Sequence, residues 1–235
     1  MPNDAARLDR DCYEAFNIQV QGLTKRMQVT RGERVVIGVT GEEIDIKPAA
    51  LRMFEDIGRA YAQGKPVYDV TFENVQAGLR TDYLFRLDNQ RKGFVLGSGD
   101  LSELALGWGT YGVGDHMSHC NVNGSLGKTL IQYLVRWVVK TKQFDDATSA
   151  TLISILDTEI SPALIPADDK NEIQSTQPKL GPYELQDFHL DYITRYGLRP
   201  SKVAVLAWHA AASGAWPPRF PAEAKHAYSI GDIKQ

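Results

Sequence analysis

Residues 94–103 read FVLGSGDLSE, and this short stretch sets the fold class. Phe94 to Gly97 is a continuous apolar run of the kind that forms a buried parallel strand. Asp100, three residues before Glu103, gives the pattern of a capping box, so a helix is predicted to begin directly after the strand. A strand that leads at once into a helix indicates an α/β layer, and such sheets bind ligands at the carboxyl ends of their strands.

Strand and helix patterns alternate on both sides of this stretch. The β-branched run at 34–39 predicts a second buried strand. Apolar residues spaced by three and four predict helices over 11–28, 48–61, 75–92, 126–139 and 183–196, and a loop is predicted over 111–127. This alternation predicts an α/β fold with a doubly wound, mostly parallel sheet in one domain spanning residues 1–235.

Composition excludes several classes of protein. The 235 residues carry a net charge of −3, so no basic footprint for nucleic acid is present. No apolar run has the length of a membrane span, and the polar amino terminus does not resemble a secretory signal. Cys12 and Cys120 are the only cysteines, which favours a reduced, cytoplasmic protein without a disulfide framework.

The segment after the 34–39 strand has an unusual connection. Only Thr40-Gly41-Glu42 separates that strand from a second strand-like run, Glu43-Ile44-Asp45-Ile46. Two parallel neighbours in a sheet need a crossover of about a dozen residues or more. The second run must therefore pair antiparallel with the first, extend the same strand, or not be a strand.

Four uncommon strings occur in a fixed order along the chain. They are FENVQAGLRTDYLF at 72–85, VLGSGDLSELALGWGTYGVGDHMSHCNVNGSLGKTLIQ at 95–132, LDTEISPALIP at 156–166 and GPYELQDFHLDYITRYGLRPSK at 181–202. Together they resemble the synthetase domain of the glutamine-dependent NAD synthetases, from about Cys12 onward. The resemblance implies the adenine nucleotide alpha hydrolase-like (N-type ATP pyrophosphatase) fold.

The resemblance also implies a reaction. ATP activates the carboxylate of deamido-NAD, pyrophosphate leaves, and ammonia displaces AMP to give NAD. It implies ATP contacts and deamido-NAD contacts, with Glu103 serving Mg²⁺ as well. The ATP contacts are Gly38, Thr40, Gly41, Ser98 and Lys128, and the deamido-NAD contacts are Asn74, Glu103, Trp108, Gly109, Thr110 and Tyr111.

Local sequence offers simpler interpretations of the same residues. Glu103 completes a capping box, and Trp108 and Tyr111 have the character of core aromatics. Lys128 follows a glycine, but Val122 stands where a Walker A motif needs its first glycine.

A metal site at His116, His119 and Cys120 is a weaker interpretation than a hydrogen-bonded loop. No motif supports Ser118 or Cys120 as a nucleophile.

Three parts of the family pattern are expected to be missing. The family's SGGxDS loop, whose backbone N–H groups surround pyrophosphate and whose aspartate holds Mg²⁺, is reduced to Thr40-Gly41. A deletion near 41–42 is therefore expected to have removed one strand and its flanking helices.

The family's closing basic segment and glutaminase domain are also expected to be absent. Ammonia would then come from solution or from a separate glutaminase. Two functions follow: an impaired NAD synthetase, expected to form a homo-oligomer, or a non-catalytic remnant that acts as a dinucleotide-binding or oligomerisation module.

Overall fold

The computed structural model describes residues 5–30, 35–36, 43–107, 114, 116–158, 180–211 and 226–234. Its contacts divide the chain into two compact units. The sheet unit comprises Gln19–Ser125 and Pro162–Gln174, and the helical unit comprises Met1–Ile18, Leu126–Ser161 and Ser175–Gln235. Helix α1, Ala5–Thr30, contributes residues to both. The domain count expected from the sequence stays a prediction.

Within the described residues, the sheet unit contains three short parallel strands, in the order β1-β2-β3. In register, Val35 faces Phe94 and Leu96 faces Cys120. The predicted strands at 34–39 and 94–97 are confirmed where the structure describes them. The elements of this unit are β1 (Val35–Val36), α2 (Lys47–Asp56), a 3₁₀ helix (Ala60–Gln63), α3 (Val70–Arg91), β2 (Phe94–Gly97), α4 (Leu101–Leu106) and β3 (Cys120–Asn121).

The strand-like run Ile44 to Ile46 is not a strand. Residues 43–46 have no regular structure, and Ile46 is the N-cap of α2. Asp45 Oδ1 accepts a hydrogen bond from Lys47 N at 2.9 Å, and a proline lies in the first turn, where its missing N–H costs nothing. The third of the three alternatives therefore holds, since helix-start signals outweigh a three-residue apolar pattern.

Helix α3 begins five residues earlier than the apolar pattern predicts because Asp69 caps it. The Asp69 carboxylate accepts from Thr71 N and Phe72 N, both at 3.1 Å. The Phe72 N–H is the main cause that lowers the pKa of Asp69 below its usual range. Against this helix packs a core of aromatic and aliphatic side chains: Ala50, Phe54, Phe72 and Val75, with Tyr61, Ala62 and Leu79 at its edge.

The helical unit has two apolar clusters. One joins Leu8 and Cys12 of α1 to Leu134, Trp137 and Val138, and the other joins Leu185, Ala207, Ala211 and Ile233. The predicted helices at 126–139 and 183–196 are confirmed, whereas three other helices of this unit were not foreseen. Its elements after α1 are α5 (Lys128–Lys140), α6 (Asp146–Leu156), α7 (Tyr183–Tyr196), α8 (Pro200–Ala211) and α9 (Ile230–Lys234).

Both cysteines are free thiols. Burial is the main cause that raises the pKa of Cys12 to about 11, and the neighbouring Asp9 and Asp11 carboxylates add to it. Cys12 is therefore a packing residue and not a nucleophile. Within the described ranges, every helix is too short or too polar to cross a membrane.

Candidate functional site

The turn that follows β2 is the best-organised polar element of the sheet unit. Asp100 Oδ1 accepts from Glu103 N at 2.8 Å, and Glu103 Oε2 accepts from Asp100 N at 3.4 Å. The predicted capping box is confirmed, and Asp100 is buried within it. Because the box joins Asp100 to Glu103 directly after the strand, Glu103 is held at the carboxyl end of β2, and Ser98 is the first residue after β2, with its side chain exposed.

Asn121 ties this turn to the neighbouring strand. Its Nδ2 donates to Gly99 O at 2.8 Å, and its Oδ1 accepts from Asn123 N at 3.0 Å. Asn123 Oδ1 in turn accepts from Gln19 Nε2 of α1 at 2.6 Å. The carboxyl ends of β2 and β3 are thereby locked side by side. Sequence analysis missed Asn121, and the asparagine- and glycine-rich string at 121–124 was the only local sign of it.

Gly97 is required by close packing at the end of β2. A Cβ placed there would lie 2.4 Å from Ser118 Oγ and 2.9 Å from Ser118 Cβ. Gly99, two residues on, has room, since its nearest atoms would be Asn121 Nδ2 at 3.6 Å and Glu103 Oε2 at 3.9 Å. The segment before β3 therefore approaches β2 at a distance that only glycine permits.

Gly97→Ala is expected to destabilise the chain by about 1–3 kcal/mol, the usual cost of overpacking. Gly99→Ala is the matched control and should change stability by less than about 0.5 kcal/mol. In the Gly97→Ala background, Ser118→Gly removes the clashing atoms and should restore most of the loss. Urea unfolding followed by circular dichroism measures all three; equal losses for the two alanine variants would contradict the packing argument.

The His119 side chain takes the place of a backbone carbonyl as a hydrogen-bond acceptor beside β2. Its backbone N donates to Val95 O at 3.1 Å, and its Nδ1 accepts from Val95 N at 3.1 Å. His119 Nε2 lies 3.9 Å from Asp88 Oδ2, and its ring packs at 4.8 Å from the Phe85 ring. This confirms the hydrogen-bonded interpretation for His119. Among the residues with described positions, no group of three or more His, Cys, Asp or Glu side chains could hold a metal.

Asn74 carries an unsatisfied polar atom. It lies on α3 between the buried residues Phe72 and Val75, and its side chain is half-buried. Asn74 Oδ1 is buried and accepts no hydrogen bond within the described parts of the chain. A buried acceptor without a partner is uncommon in proteins and is a site where a ligand or water can bind.

Lys128 belongs to the helical unit, where it is the first residue of α5. Its Nζ lies 5.2 Å from the centroid of the Tyr183 ring, within the range of a cation–π contact. The next residue, Thr129, donates its backbone N–H to Asp187 Oδ2 at 2.7 Å. Both partners come from α7.

The structure thus brings some predicted site residues together and leaves others untested. Ser98 and Glu103 share one turn, and Asn74 lies in the same unit. Lys128 lies in the other unit. The remaining predicted residues fall outside the described residues: Gly38, Thr40, Gly41, Trp108, Gly109, Thr110 and Tyr111.

Glu103 fits the magnesium role only as one ligand among several. Mg²⁺ in nucleotide sites is held by one or two carboxylates, by substrate phosphates and by water. In the capping box, Glu103 Oε2 accepts a hydrogen bond of 3.4 Å from Asp100 N, and a Cβ placed at Gly99 would lie 3.9 Å from the same oxygen. A carboxylate so placed can accompany a metal that arrives with its nucleotide.

Comparison with known proteins identifies the family. Residues 19–199 match the family described as NAD synthase. This chain belongs to the NAD synthase family. Over 291 aligned positions it is 45% identical to a glutamine-dependent NAD(+) synthetase from Mycobacterium leprae and 47% identical to one from Mycobacterium tuberculosis H37Rv.

The solved structure of a glutamine-dependent NAD(+) synthetase from Cytophaga hutchinsonii has the same fold, with a TM-score of 0.53 and 16% sequence identity. The likeness covers 84% of this chain and 27% of that one. The adenine nucleotide alpha hydrolase-like fold expected from the sequence is therefore confirmed, in a reduced form with a small parallel sheet.

This chain is shorter than the region of each relative that aligns with it. All of this chain aligns, but it spans only 43% of the Mycobacterium relatives. The alignment has 291 positions and the chain has 235 residues, so at least 56 positions of each relative have no counterpart here. The aligned regions of these relatives are therefore longer than this chain.

Proposed function

We propose that this chain retains the deamido-NAD site of an NAD synthetase and catalyses the ATP-dependent amidation of deamido-NAD at a greatly reduced rate. One observation carries the proposal: the turn after β2, held by Asp100 and Asn121, places Glu103 at the carboxyl end of the strand, in the same turn as the exposed Ser98. This is where α/β sheets bind nucleotides. Family membership supplies the reaction.

The chemical difficulty of the reaction is charge. The carboxylate of deamido-NAD must approach the α-phosphate of a polyanionic ATP, so cations and N–H donors must offset the charge that moves to pyrophosphate. Mg²⁺ would supply Lewis-acid stabilisation when bound, with Glu103 as one ligand. Lys128 would neutralise phosphate charge, and the exposed Ser98 hydroxyl would donate to the nucleotide. Asn74 would satisfy its unpaired Oδ1 with a donor group of deamido-NAD.

The shortened connection at Thr40-Gly41-Glu42 supports the reduced rate. Family members place the pyrophosphate-binding SGGxDS loop there, and this sequence lacks its later glycine, aspartate and serine. The 56 or more unmatched positions of the relatives agree with a deletion. Ammonia would come from solution or from a glutaminase. A cytoplasmic homo-oligomer is the expected setting.

The same shortened connection favours a second candidate function, a non-catalytic dinucleotide-binding or oligomerisation module. The impaired enzyme and a dinucleotide-binding module both predict binding of deamido-NAD, but only the enzyme predicts pyrophosphate release; an oligomerisation module predicts neither. With deamido-NAD, MgATP and ammonium present, slow release that depends on deamido-NAD supports the impaired enzyme. Binding without any release supports the module.

Calorimetric titration of the full chain with deamido-NAD tests the shared site. Asn74→Ala is expected to weaken binding by about 5- to 100-fold, the cost of one lost hydrogen bond in a buried setting. Asn89→Ala is the matched control, because Asn89 is an exposed asparagine on the same helix. Absence of binding by the unmodified chain would overturn the impaired enzyme and the dinucleotide-binding module and leave the oligomerisation module, and turnover equal to that of the intact relatives would overturn the impairment.

A further inference from the structure

Helix α5 begins without a cap of its own. Its N-cap residue is Gly127, which has no side chain to accept a hydrogen bond from the first N–H groups of the helix. The carboxylate of Asp187 takes this role from α7 and accepts from Thr129 N at 2.7 Å across 58 residues of sequence. A carboxylate at this position also interacts favourably with the helix dipole.

The fit around this carboxylate is tight. A Cβ at Gly127 would lie 2.8 Å from Asp187 Oδ2 and 2.9 Å from its Cγ. Thr129, which donates the hydrogen bond, is buried. Aspartate at 187 therefore requires glycine at 127. The Asp187 carboxylate lies against the backbone before Lys128 and binds the backbone N–H after it.

The Lys128 side chain is held by the same helix. Tyr183 lies four residues before Asp187, so both side chains project from one face of α7. The Tyr183 ring is buried and contacts the Lys128 ammonium group. The first turn of α7 is anchored in turn, because Glu184 accepts a hydrogen bond from the Tyr228 hydroxyl and Leu185 is buried against α8.

We infer that Asp187 is a positioning residue for nucleotide binding, acting through Lys128, with Tyr183 as its companion. The inference rests on the proposed role of Lys128 toward ATP. It also predicts which groups in the first turn of α5 bind phosphate. Since Asp187 already occupies the Thr129 N–H, the turn contributes the lysine side chain and not that backbone donor.

The environment of Lys128 can be tested without any nucleotide. In the spectrum of the isotope-labelled full chain, the ε-methylene resonances of Lys128, assigned by their loss in Lys128→Met, are expected to be shifted upfield by the Tyr183 ring. Tyr183→Leu should abolish that shift, and Asp187→Ala should reduce it. Asp187→Asn keeps an acceptor oxygen and should retain most of it. Asp191→Asn, one turn further along the same helix, where the side chain is 46% exposed and pairs with Arg195, is the control.

Titration with MgATP then tests the link to binding. Lys128→Met and Asp187→Ala should each weaken MgATP binding by about tenfold or more, and the double variant should be little weaker than either single one. Unchanged Lys128 resonances in Asp187→Ala would overturn the positioning role. Shifted Lys128 resonances in Asp187→Ala, together with unchanged MgATP affinity in Lys128→Met, would instead overturn the proposed role of Lys128. If Asp187→Ala does not fold, Asp187→Glu, which moves the carboxylate by one methylene, carries the same comparison.

Discussion

Insertion of the missing segment of the Mycobacterium tuberculosis relative at the Gly41–Glu42 junction is expected to raise NAD formation by at least about 10³-fold. The segment would return the SGGxDS loop, and each donor of the oxyanion-hole type contributes about 10²–10³ in rate. The loop aspartate would add a metal ligand. The measurement is the rate of NAD formation from deamido-NAD, MgATP and ammonium, compared with that of the unmodified chain.

The control for this insertion is the same segment with alanine in place of the loop aspartate and glycines. That chain has the restored length and helices but not the cradle, so its rate should stay near that of the unmodified chain. Equal gains from both insertions would assign the effect to folding and not to phosphate binding. An unmodified chain that already matches the intact relative would contradict the deletion argument.

Phe54→Ala is expected to cost about 3–5 kcal/mol of unfolding free energy, the range for removing a buried aromatic side chain. Phe54 is 1% exposed, stacks on Phe72 with ring centroids 5.7 Å apart, and meets Tyr61 edge-on at 5.2 Å. The cavity would lie directly under α3, the helix that carries Asn74. Urea unfolding of the full chain gives the free energy of unfolding. The slope of that free energy against urea concentration shows whether the variant and the unmodified chain undergo the same transition.

Met53→Ala, at the neighbouring position, is the matched comparison. Met53 is 39% exposed, so its truncation should cost less than about 0.5 kcal/mol. Similar losses for the two variants would mean that the aromatic cluster does not form the core of the sheet unit.

Elements with local signals were predictable from the sequence. The capping box at Asp100 and Glu103 lies within four residues, and the apolar run before it is unambiguous. Strand β3 was not predictable, because it has two residues in a glycine-rich loop and is fixed by the contact of His119 with Val95. The choice among the three alternatives for Ile44 to Ile46 could not be made from the sequence, because three residues are too few to distinguish a strand from the approach to a helix.

The candidate site likewise contains residues with a local sequence signal and residues without one. Ser98 and Glu103 could be named from the resemblance, because they belong to one continuous string. Asn121 and Asp187 could not, because their importance lies in backbone groups 22 and 58 residues away. No periodicity or motif links residues at such separations, and only the folded chain brings them into contact.

The burial of Cys12 has a practical consequence for ligand titrations. A thiol that stays protonated and covered at neutral pH is a poor target for maleimides, whereas Cys120 is partly exposed in β3 beside Asn121. A fluorophore can therefore be directed to one position without mutating the protein. That position adjoins the strand ends where nucleotide is proposed to bind, so emission from the dye can follow ligand binding in solution.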